Sequence, residues 1–312
     1  MAEAIGVLSK VLPVIFIIIL GGFLRRARFI KQETINGLKR IVVNIALPSV
    51  LFLTFAKTTF EKRYILILFS VFGICGLMLS IGAAIKRTVK GTDKYFPALF
   101  GGLEAGMMGY PLFTSVYGSL NTYKLAIFDI GQVTFCFFVL VSYIQRLNGK
   151  TSTAKELTFS FVKSPVILSI LLGITASFMG NLKIGPSAIV YSLSETLRVL
   201  SELTLPLICL IIGYELKIDF RNIRKPFWTA VLRLALFMII AYGFNEIVVD
   251  RVLNLDNSFK VALYTLFLLP PSFIIPIYMD EKQEESKQFI LNTISIGIVL
   301  SLIAYMTLIL IL

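Results

Sequence analysis

Long runs of apolar residues constrain this chain more than any other feature of its sequence. Several stretches of about 20 residues contain almost no charge, and such a stretch is long enough to cross the ~30 Å hydrocarbon core of a bilayer as a helix. Composition agrees, because 57% of the 312 residues are hydrophobic and 15% are charged, against roughly 45–50% and about 25% in soluble domains. We therefore predict an all-α, polytopic membrane protein.

Ten apolar runs are separated by charged connections or by connections that contain Pro and Gly, and each run predicts one membrane-spanning helix. The first run continues to Arg25 and Arg26 without a small-residue cleavage site, so we expect a retained span rather than a signal peptide. The predicted spans are 4–24, 36–56, 64–85, 95–118, 122–146, 165–181, 187–216, 226–249, 259–279 and 288–312.

The distribution of basic residues predicts the orientation of these spans. Of the 30 lysines and arginines, 20 lie in or beside the connections after spans one, three, five, seven and nine, and 8 lie on the other side. Cytoplasmic loops carry the excess of Lys and Arg, so both termini are predicted to lie outside the plasma (cytoplasmic) membrane. The net charge of +12 then reflects topology, and we expect no nucleic-acid partner.

Residues that commonly carry catalysis or bind metals are scarce. The chain has no histidine, and its three cysteines, Cys75, Cys136 and Cys209, lie singly within apolar runs. Hydrolases of the Ser-His-Asp and Cys-His types need a histidine base, and structural zinc sites need clustered ligands. We therefore expect no enzymatic activity, no cofactor and no metal centre.

The polar connection at 147–164 divides the ten spans into two halves, 1–146 and 165–312. Each half has five spans, and because five is odd, the second half must enter the membrane from the opposite side. If the halves are homologous, they form an inverted repeat.

Two pairs of motifs support this internal similarity. Residues 44–48 of span two and 202–206 of span seven both place a polar residue three positions before Leu-Pro in an apolar helix. Residues 106–113 of span four and 271–278 of span nine both place a helix breaker five positions before a proline, with aliphatic and aromatic residues after it.

Spans four and nine also contain the residues that disrupt helices most. Four glycines and Pro111 lie within 101–111, and three prolines lie within 270–276. A proline inside a helix costs about 3 kcal/mol or more, and in lipid the freed backbone groups must be buried in protein or water. We predict that both helices are discontinuous near the midplane. Paired interruptions in two inverted halves indicate the binding site of a transporter, whereas simple packing kinks are the alternative.

The order of four motifs resembles the auxin efflux carrier family of membrane transporters, in particular its short bacterial members without a large cytoplasmic insert. The resemblance covers essentially the whole chain. It rests on Asn44-x-x-Leu47-Pro48 in span two, the glycine-rich stretch from Gly102 to Pro111 in span four, Leu205-Pro206 in span seven and the proline-rich span nine.

The resemblance implies a scaffold made of spans one, two, six and seven, which also forms a homodimer, and a mobile transport domain made of spans three to five and eight to ten. It also implies that spans four and nine cross at their broken points to form the substrate site, and that transport uses an elevator-like movement. Substrates of the family are typically small organic anions, such as auxin in plants and malate in bacteria. The partners expected are therefore a small-molecule substrate, membrane lipid and a second copy of the chain.

Candidate substrate-binding residues lie at the two breaks and before the Leu-Pro motif of span two. Glu104 departs from the family, which commonly has an amide such as Asn here. A carboxylate at bilayer depth is functional by default, and Glu104 would carry a coupled proton or bind the ammonium of an amino acid, with a structural ion pair as the alternative. The candidates are Glu104, Gly106, Met107, Gly109, Pro111, Pro270, Pro271, Ser272, Pro276 and Asn44.

Coupling to protons or other ions is assigned to Glu104, Asp129, Gln132 and Arg233. Asp129 and Gln132 lie nearly one turn apart in span five and would face Glu104, where neighbouring carboxylates can share a proton. Hydration of Asp129 near the outer interface is the alternative. Arg233 would be a counter-ion of a carboxylate or of the substrate, or would snorkel to the cytoplasmic interface.

These features predict a secondary active transporter for a small organic anion, either a carboxylate such as malate or an amino acid. A cation/proton antiporter or a sodium-coupled symporter is the alternative, because interrupted helices with embedded carboxylates serve those functions too.

Overall fold

A computed structural model describes residues 2–58, 61–89, 91–149, 153–178, 188–216, 219–220, 222–280 and 283–311. Within these ranges the regular structure is helical, and one isolated bridge is the only strand-like pairing. The α-helices are α1 (Ala2–Arg26), α2 (Gln32–Ile41), α3 (Leu47–Ala56), α4 (Tyr64–Thr88), α5 (Ala98–Gly101), α6 (Tyr110–Tyr117), α7 (Thr122–Phe135), α8 (Val141–Leu147), α9 (Ala154–Val162), α10 (Pro165–Phe178), α11 (Ala188–Glu202), α12 (Thr204–Glu215), α13 (Arg224–Phe244), α14 (Asn257–Leu268), α15 (Ile274–Tyr278) and α16 (Glu284–Ile311). Wider π-helical turns occur at Val42–Ala46, Ala105–Gly109, Cys136–Leu140 and Asn245–Val252, and a 3₁₀ turn occurs at Ser119–Asn121.

Six helical segments in the described part of the chain are long and apolar enough to cross a membrane. They coincide with the predicted spans two, three, five, seven, eight and ten, and the protein is thus an all-helical, polytopic membrane protein. A seventh candidate is the pair Lys155–Val162 and Pro165–Phe178, which is bent by 66° and overlaps predicted span six. The predicted end of span six and start of span seven fall within 179–187, outside the described residues. The six segments are Gln32–Ala56, Tyr64–Thr88, Ser119–Leu147, Tyr191–Glu215, Arg224–Val252 and Glu284–Ile311.

The chain forms two compact units, and the first contains Met1–Lys62, Gly106–Ala126 and Val162–Leu216. Within it, α1 and α12 approach so closely that their contact requires glycine. A Cβ atom on Gly21 would lie 2.2 Å from the carbonyl oxygen of Leu210, and no shift of a side chain would relieve that clash.

Replacing Gly21 with Ala is expected to destabilise the first unit by about 1–3 kcal/mol, the usual cost of overpacking. The adjacent Gly22→Ala is the matched control, because its Cβ would lie at an ordinary 3.5 Å from the nearest atom, the carbonyl oxygen of Gly213. Ala also favours a helix over Gly by about 0.5–1 kcal/mol, so the control should be neutral or slightly stabilising. The midpoint of thermal unfolding of the detergent-purified protein, followed with a thiol-reactive dye that reports exposure of the buried cysteines, measures both. Equal midpoints for the two variants would contradict the assigned helix contact.

The second unit contains Arg63–Ala105, Ile127–Phe161 and Lys217–Leu312. Its helices also pack through glycine: a Cβ on Gly131 of α7 would lie 2.3 Å from the carbonyl oxygen of Leu68 in α4. On α16, a Cβ at Gly297 would come within 3.1 Å of the Pro270 side chain. The bare backbone of Gly297 thus lets α16 lie directly against the proline-rich segment.

Candidate functional site

Two helices of the second unit end abruptly in extended backbone. α5 ends at Gly101, and Gly102 adopts an extended conformation with φ −131° and ψ 157°. α14 ends at Leu268, and Leu269 is extended with φ −65° and ψ 152°. Helical structure resumes at Ala105 in the first segment and at Ile274 in the second. The interruptions predicted from the glycines and prolines of spans four and nine are therefore present.

The two extended segments pair with each other. Leu103 and Pro271 form an antiparallel bridge, and the Glu104 backbone N–H donates to the Pro270 carbonyl oxygen at 3.1 Å. Gly102 lies within this tight contact, because a Cβ there would be 2.8 Å from the Leu140 side chain and 3.1 Å from the Ser272 Cβ. Backbone that the helices leave without partners is thus satisfied by pairing, as it must be in an apolar environment.

Glu104 contributes a buried carboxylate to this pairing. Its side chain is only 8% exposed, and its Oε2 accepts a hydrogen bond of 2.7 Å from the Phe273 backbone N–H. The Ser272 Oγ accepts from the next backbone N–H, that of Ile274, at 3.3 Å. The Glu104 carboxyl group therefore lies at the start of α15, where free N–H groups favour a hydrogen-bond acceptor.

Arg233 contributes a buried cation to the same pairing. It is 2% exposed, so the alternative in which its side chain snorkels to the interface is wrong. Its guanidinium donates to three backbone carbonyl oxygens: Nε to Leu99 at 2.7 Å, Nη1 to Leu269 at 2.7 Å and Nη2 to Gly102 at 2.9 Å. These hydrogen bonds of Arg233 thus go to helix ends rather than to a carboxylate.

Gln132 contacts the pairing from α7. The Gln132 Nε2 donates to the carbonyl oxygen of Leu103, the residue that precedes Glu104 in the paired segment. Asp129 is buried on the same helix. From α16, the Ser301 Oγ donates to the Leu268 carbonyl oxygen at 2.5 Å, a contact that no feature of the sequence indicated.

The remaining predicted residues have different surroundings. Asn44 is exposed in the first unit, and its amide donates to the Arg40 carbonyl oxygen of its own helix at 2.8 Å. Pro276 is half-buried in α15. Gly106, Met107, Gly109 and Pro111 belong to the segment Gly106–Ala126 of the first unit, where all except the half-buried Gly106 are buried.

In the second unit, an acidic side chain binds the N–H end of one helix, and a basic side chain binds the carbonyl ends of two helices. The Glu104 carboxylate accepts from a free N–H group, and the Arg233 guanidinium donates to free carbonyls, as the helix dipole favours in each case. A buried carboxylate of this kind can gain and lose a proton or bind a cationic group. Among the described residues, no cluster of three or more Asp, Glu or Cys side chains is placed to hold a metal ion.

Paired interrupted helices with buried charges are typical of secondary transporters. The chain matches a family of membrane transport proteins over residues 6–309 and belongs to that family, the auxin efflux carriers. It is 28% identical to an uncharacterized transporter, MJ1031, of Methanocaldococcus jannaschii over 84% of this chain and 88% of that protein. It is 25% identical to an uncharacterized transporter of Methanothermobacter thermautotrophicus over 96% of each chain. The family resemblance predicted from the sequence motifs is thus confirmed.

Proposed function

We propose that this protein is a secondary active transporter that moves a small organic anion, a carboxylate such as malate or an amino acid, across the cytoplasmic membrane. In this proposal the chain crosses the membrane ten times as two inverted five-helix repeats, with both termini outside. Spans one, two, six and seven form a scaffold and a homodimer contact. The other spans form a transport domain that moves like an elevator.

The observation that carries this proposal is the pairing of two interrupted helices around buried charges. One interruption lies in predicted span four and the other in predicted span nine, so each sequence half contributes one, and they meet at Leu103 and Pro271. Non-helical backbone at membrane depth is tolerated where protein buries it or where it lines a cavity. In transporters built from inverted repeats, substrate and ion sites lie at such interrupted helices.

The grouping of the spans supports a division into scaffold and transport domain. The first unit collects spans one, two, six and seven from both halves of the sequence, and the second collects spans three, five, eight, nine and ten. Span four is shared, because Gly106–Ala126 groups with the first unit and the part before it groups with the second, and the first residues of span five, 122–126, group with the first unit as well. The two paired backbone segments, together with Glu104 and Arg233, belong wholly to the second unit, which we propose as the moving part.

Glu104 supplies a route to proton coupling within this proposal. The ionised carboxylate accepts the Phe273 N–H, a donor that a substrate carboxylate would also seek. Two anions compete for one donor, so substrate binding is favoured when Glu104 takes up a proton, because a neutral carboxyl accepts the Phe273 N–H more weakly than a carboxylate does. A carboxylate and a proton would then move together.

Uptake by proteoliposomes tests the proposal. Vesicles that contain the purified protein are offered radiolabelled carboxylic acids and amino acids, one at a time, with and without an acidic exterior. We expect uptake of at least one of them above the level in protein-free vesicles, increased by the pH gradient and lost with a protonophore. Cation-for-proton exchange without any organic substrate would contradict the proposal and favour the antiporter alternative.

A further inference from the structure

The Arg233 guanidinium lies where the carbonyl ends of two interrupted helices meet. Two of its acceptors, the carbonyl oxygens of Leu99 and Gly102, belong to the last turn of α5 and the residue after it. The third, that of Leu269, follows the last residue of α14. One cationic side chain thus joins both breaks, although the segments lie far apart in the sequence.

These carbonyls need a partner because the helices stop. In a continuous helix the Leu269 carbonyl would accept from the N–H of Phe273, four residues later. Here the Phe273 N–H donates to Glu104 instead, and the Leu269 carbonyl accepts from Arg233. The ends of helices carry partial negative charge on such carbonyls, and two of these ends converge on the same guanidinium.

The Arg233 side chain is buried where it makes this contact. The side chain is 2% exposed, and the guanidinium carbon lies 4.7 Å from the centre of the Phe237 ring, in position for a cation–π interaction. A planar guanidinium has five donors in a fixed geometry, which suits several carbonyls at once. The contact therefore has the form of a cation site built from backbone oxygens and filled by a side chain.

In transporters with interrupted helices, unwound carbonyls and helix C-terminal ends coordinate the coupling sodium ion or proton. We propose that Arg233 is a tethered cation that takes the place of such a sodium ion, so that the paired segments are held together and transport proceeds without sodium. A sodium ion at this position would meet occupied carbonyls and a fixed positive charge. The role of Arg233 in sodium-independent transport rests on the proposed transport function. Whether Arg233 rather than a sodium ion binds the three carbonyls can be tested without any substrate.

Thermal unfolding of the purified full-length chain in detergent tests this proposal. Midpoints are compared in sodium chloride and in choline chloride at equal ionic strength, because an ion that binds only the folded state raises the midpoint. We expect the two midpoints of the wild-type protein to coincide. We expect Arg233→Ala to unfold at a lower temperature in choline and to recover part of that shift in sodium or in dilute guanidinium, since removal of the side chain opens the three carbonyls to a small cation.

Arg224→Ala is the matched control, because Arg224 lies on the same helix and is exposed. Its midpoint should respond to neither sodium nor guanidinium beyond the response of the wild-type protein. If Arg233→Ala cannot be purified in folded form, Arg233→Gln serves as the neutral variant, since Gln keeps a donor for one carbonyl. A sodium-specific rise in the wild-type midpoint would overturn the proposal, and so would a neutral Arg233 variant that responds to neither cation.

Uptake measurements separate this proposal from the transport function itself. Replacement of sodium by choline in the proteoliposome assay should leave the rate of uptake unchanged. Uptake that requires sodium would overturn the role of Arg233 and leave the transporter assignment standing. A complete lack of uptake would count against the transporter assignment, whereas the unfolding midpoints would still decide the role of Arg233.

Discussion

Replacing Glu104 with Gln is expected to abolish the stimulation of uptake by a pH gradient while leaving the paired segments folded. The amide oxygen of Gln can accept the Phe273 N–H as the carboxylate does, so the geometry of the break should persist. The group that gains and loses the proton is gone, however, because an amide does not titrate. Uptake with and without an acidic exterior measures the effect, and substrate-induced shifts in the unfolding midpoint measure binding.

The same variant distinguishes the two roles considered for Glu104. If Glu104 binds the ammonium group of an amino acid, its replacement should weaken binding by about 1.5–3 kcal/mol, the value of a hydrogen bond to a charged group. That corresponds to a loss of roughly 10- to 150-fold in affinity. If Glu104 carries the coupled proton, binding should be largely retained and only the pH dependence should disappear.

Glu285→Gln is the control for the removal of a carboxylate, because Glu285 lies exposed in the first turn of α16. Its uptake should keep the wild-type dependence on pH. A Glu104→Gln protein that binds and transports with unchanged pH dependence would refute both roles and leave Glu104 as a structural partner of Phe273.

The positions of the two interruptions could be predicted from the sequence because glycine and proline act locally. Pro270 and Pro271 have no N–H to continue α14, and the glycines of span four favour extended backbone at little steric cost. These effects need no knowledge of the tertiary structure. The family could be predicted for the same reason, since its motifs consist of these residues at fixed spacing.

The partners at the breaks could not be predicted, because most of them are backbone groups. No sequence pattern indicates that the N–H of Phe273 is the partner of Glu104, or that the carbonyl of Leu103 is the partner of Gln132. The register that places Leu103 opposite Pro271 depends on how separate helices pack. A pattern within one helix does not contain that information.

For Arg233 and Asn44 too, the sequence did not show which groups the side chain contacts. Arg233 bonds to distant segments, whereas Asn44 bonds within its own helix. The depth of Arg233 within span eight was compatible with burial or with snorkelling, and only the convergence of three carbonyls from two other segments decides for burial. The position of Asn44 before the Leu-Pro motif of span two predicts a substrate-binding role. In the structure the Asn44 amide bonds to its own helix at Arg40, a local contact that competes with any distant one.

Replacing Arg233 with Met is expected to reduce the stability of the second unit by at least about 3 kcal/mol. Met resembles the apolar stem of Arg in length, so the packing around the stem is largely kept and the hydrogen bonds are lost. Three buried carbonyls then lose their partner, and each unsatisfied buried group costs about 1–3 kcal/mol. The unfolding midpoint followed with the thiol-reactive dye should fall further than for any surface substitution.

The matched control for this loss is Arg224→Met, which removes an exposed cation from the first turn of the same helix. A positive charge is unfavourable at a helix N-terminus, so this change should be neutral or slightly stabilising. Equal midpoints for the two Met variants would show that the carbonyls at the breaks do not depend on Arg233.

The double variant Arg233→Met/Glu104→Gln extends this argument to the break as a whole. Glu104 and Arg233 bind the Phe273 N–H and the Leu269 carbonyl, the two groups that would bond to each other in an unbroken helix. Both side chains hold groups of the same break, so the loss of either one weakens the pairing on which the other acts. The double variant should therefore lose less stability than the sum of the two single losses, with a coupling of about 0.5–3 kcal/mol, as residues in one network show. Strict additivity would mean that the cation and the anion stabilise their helix ends independently.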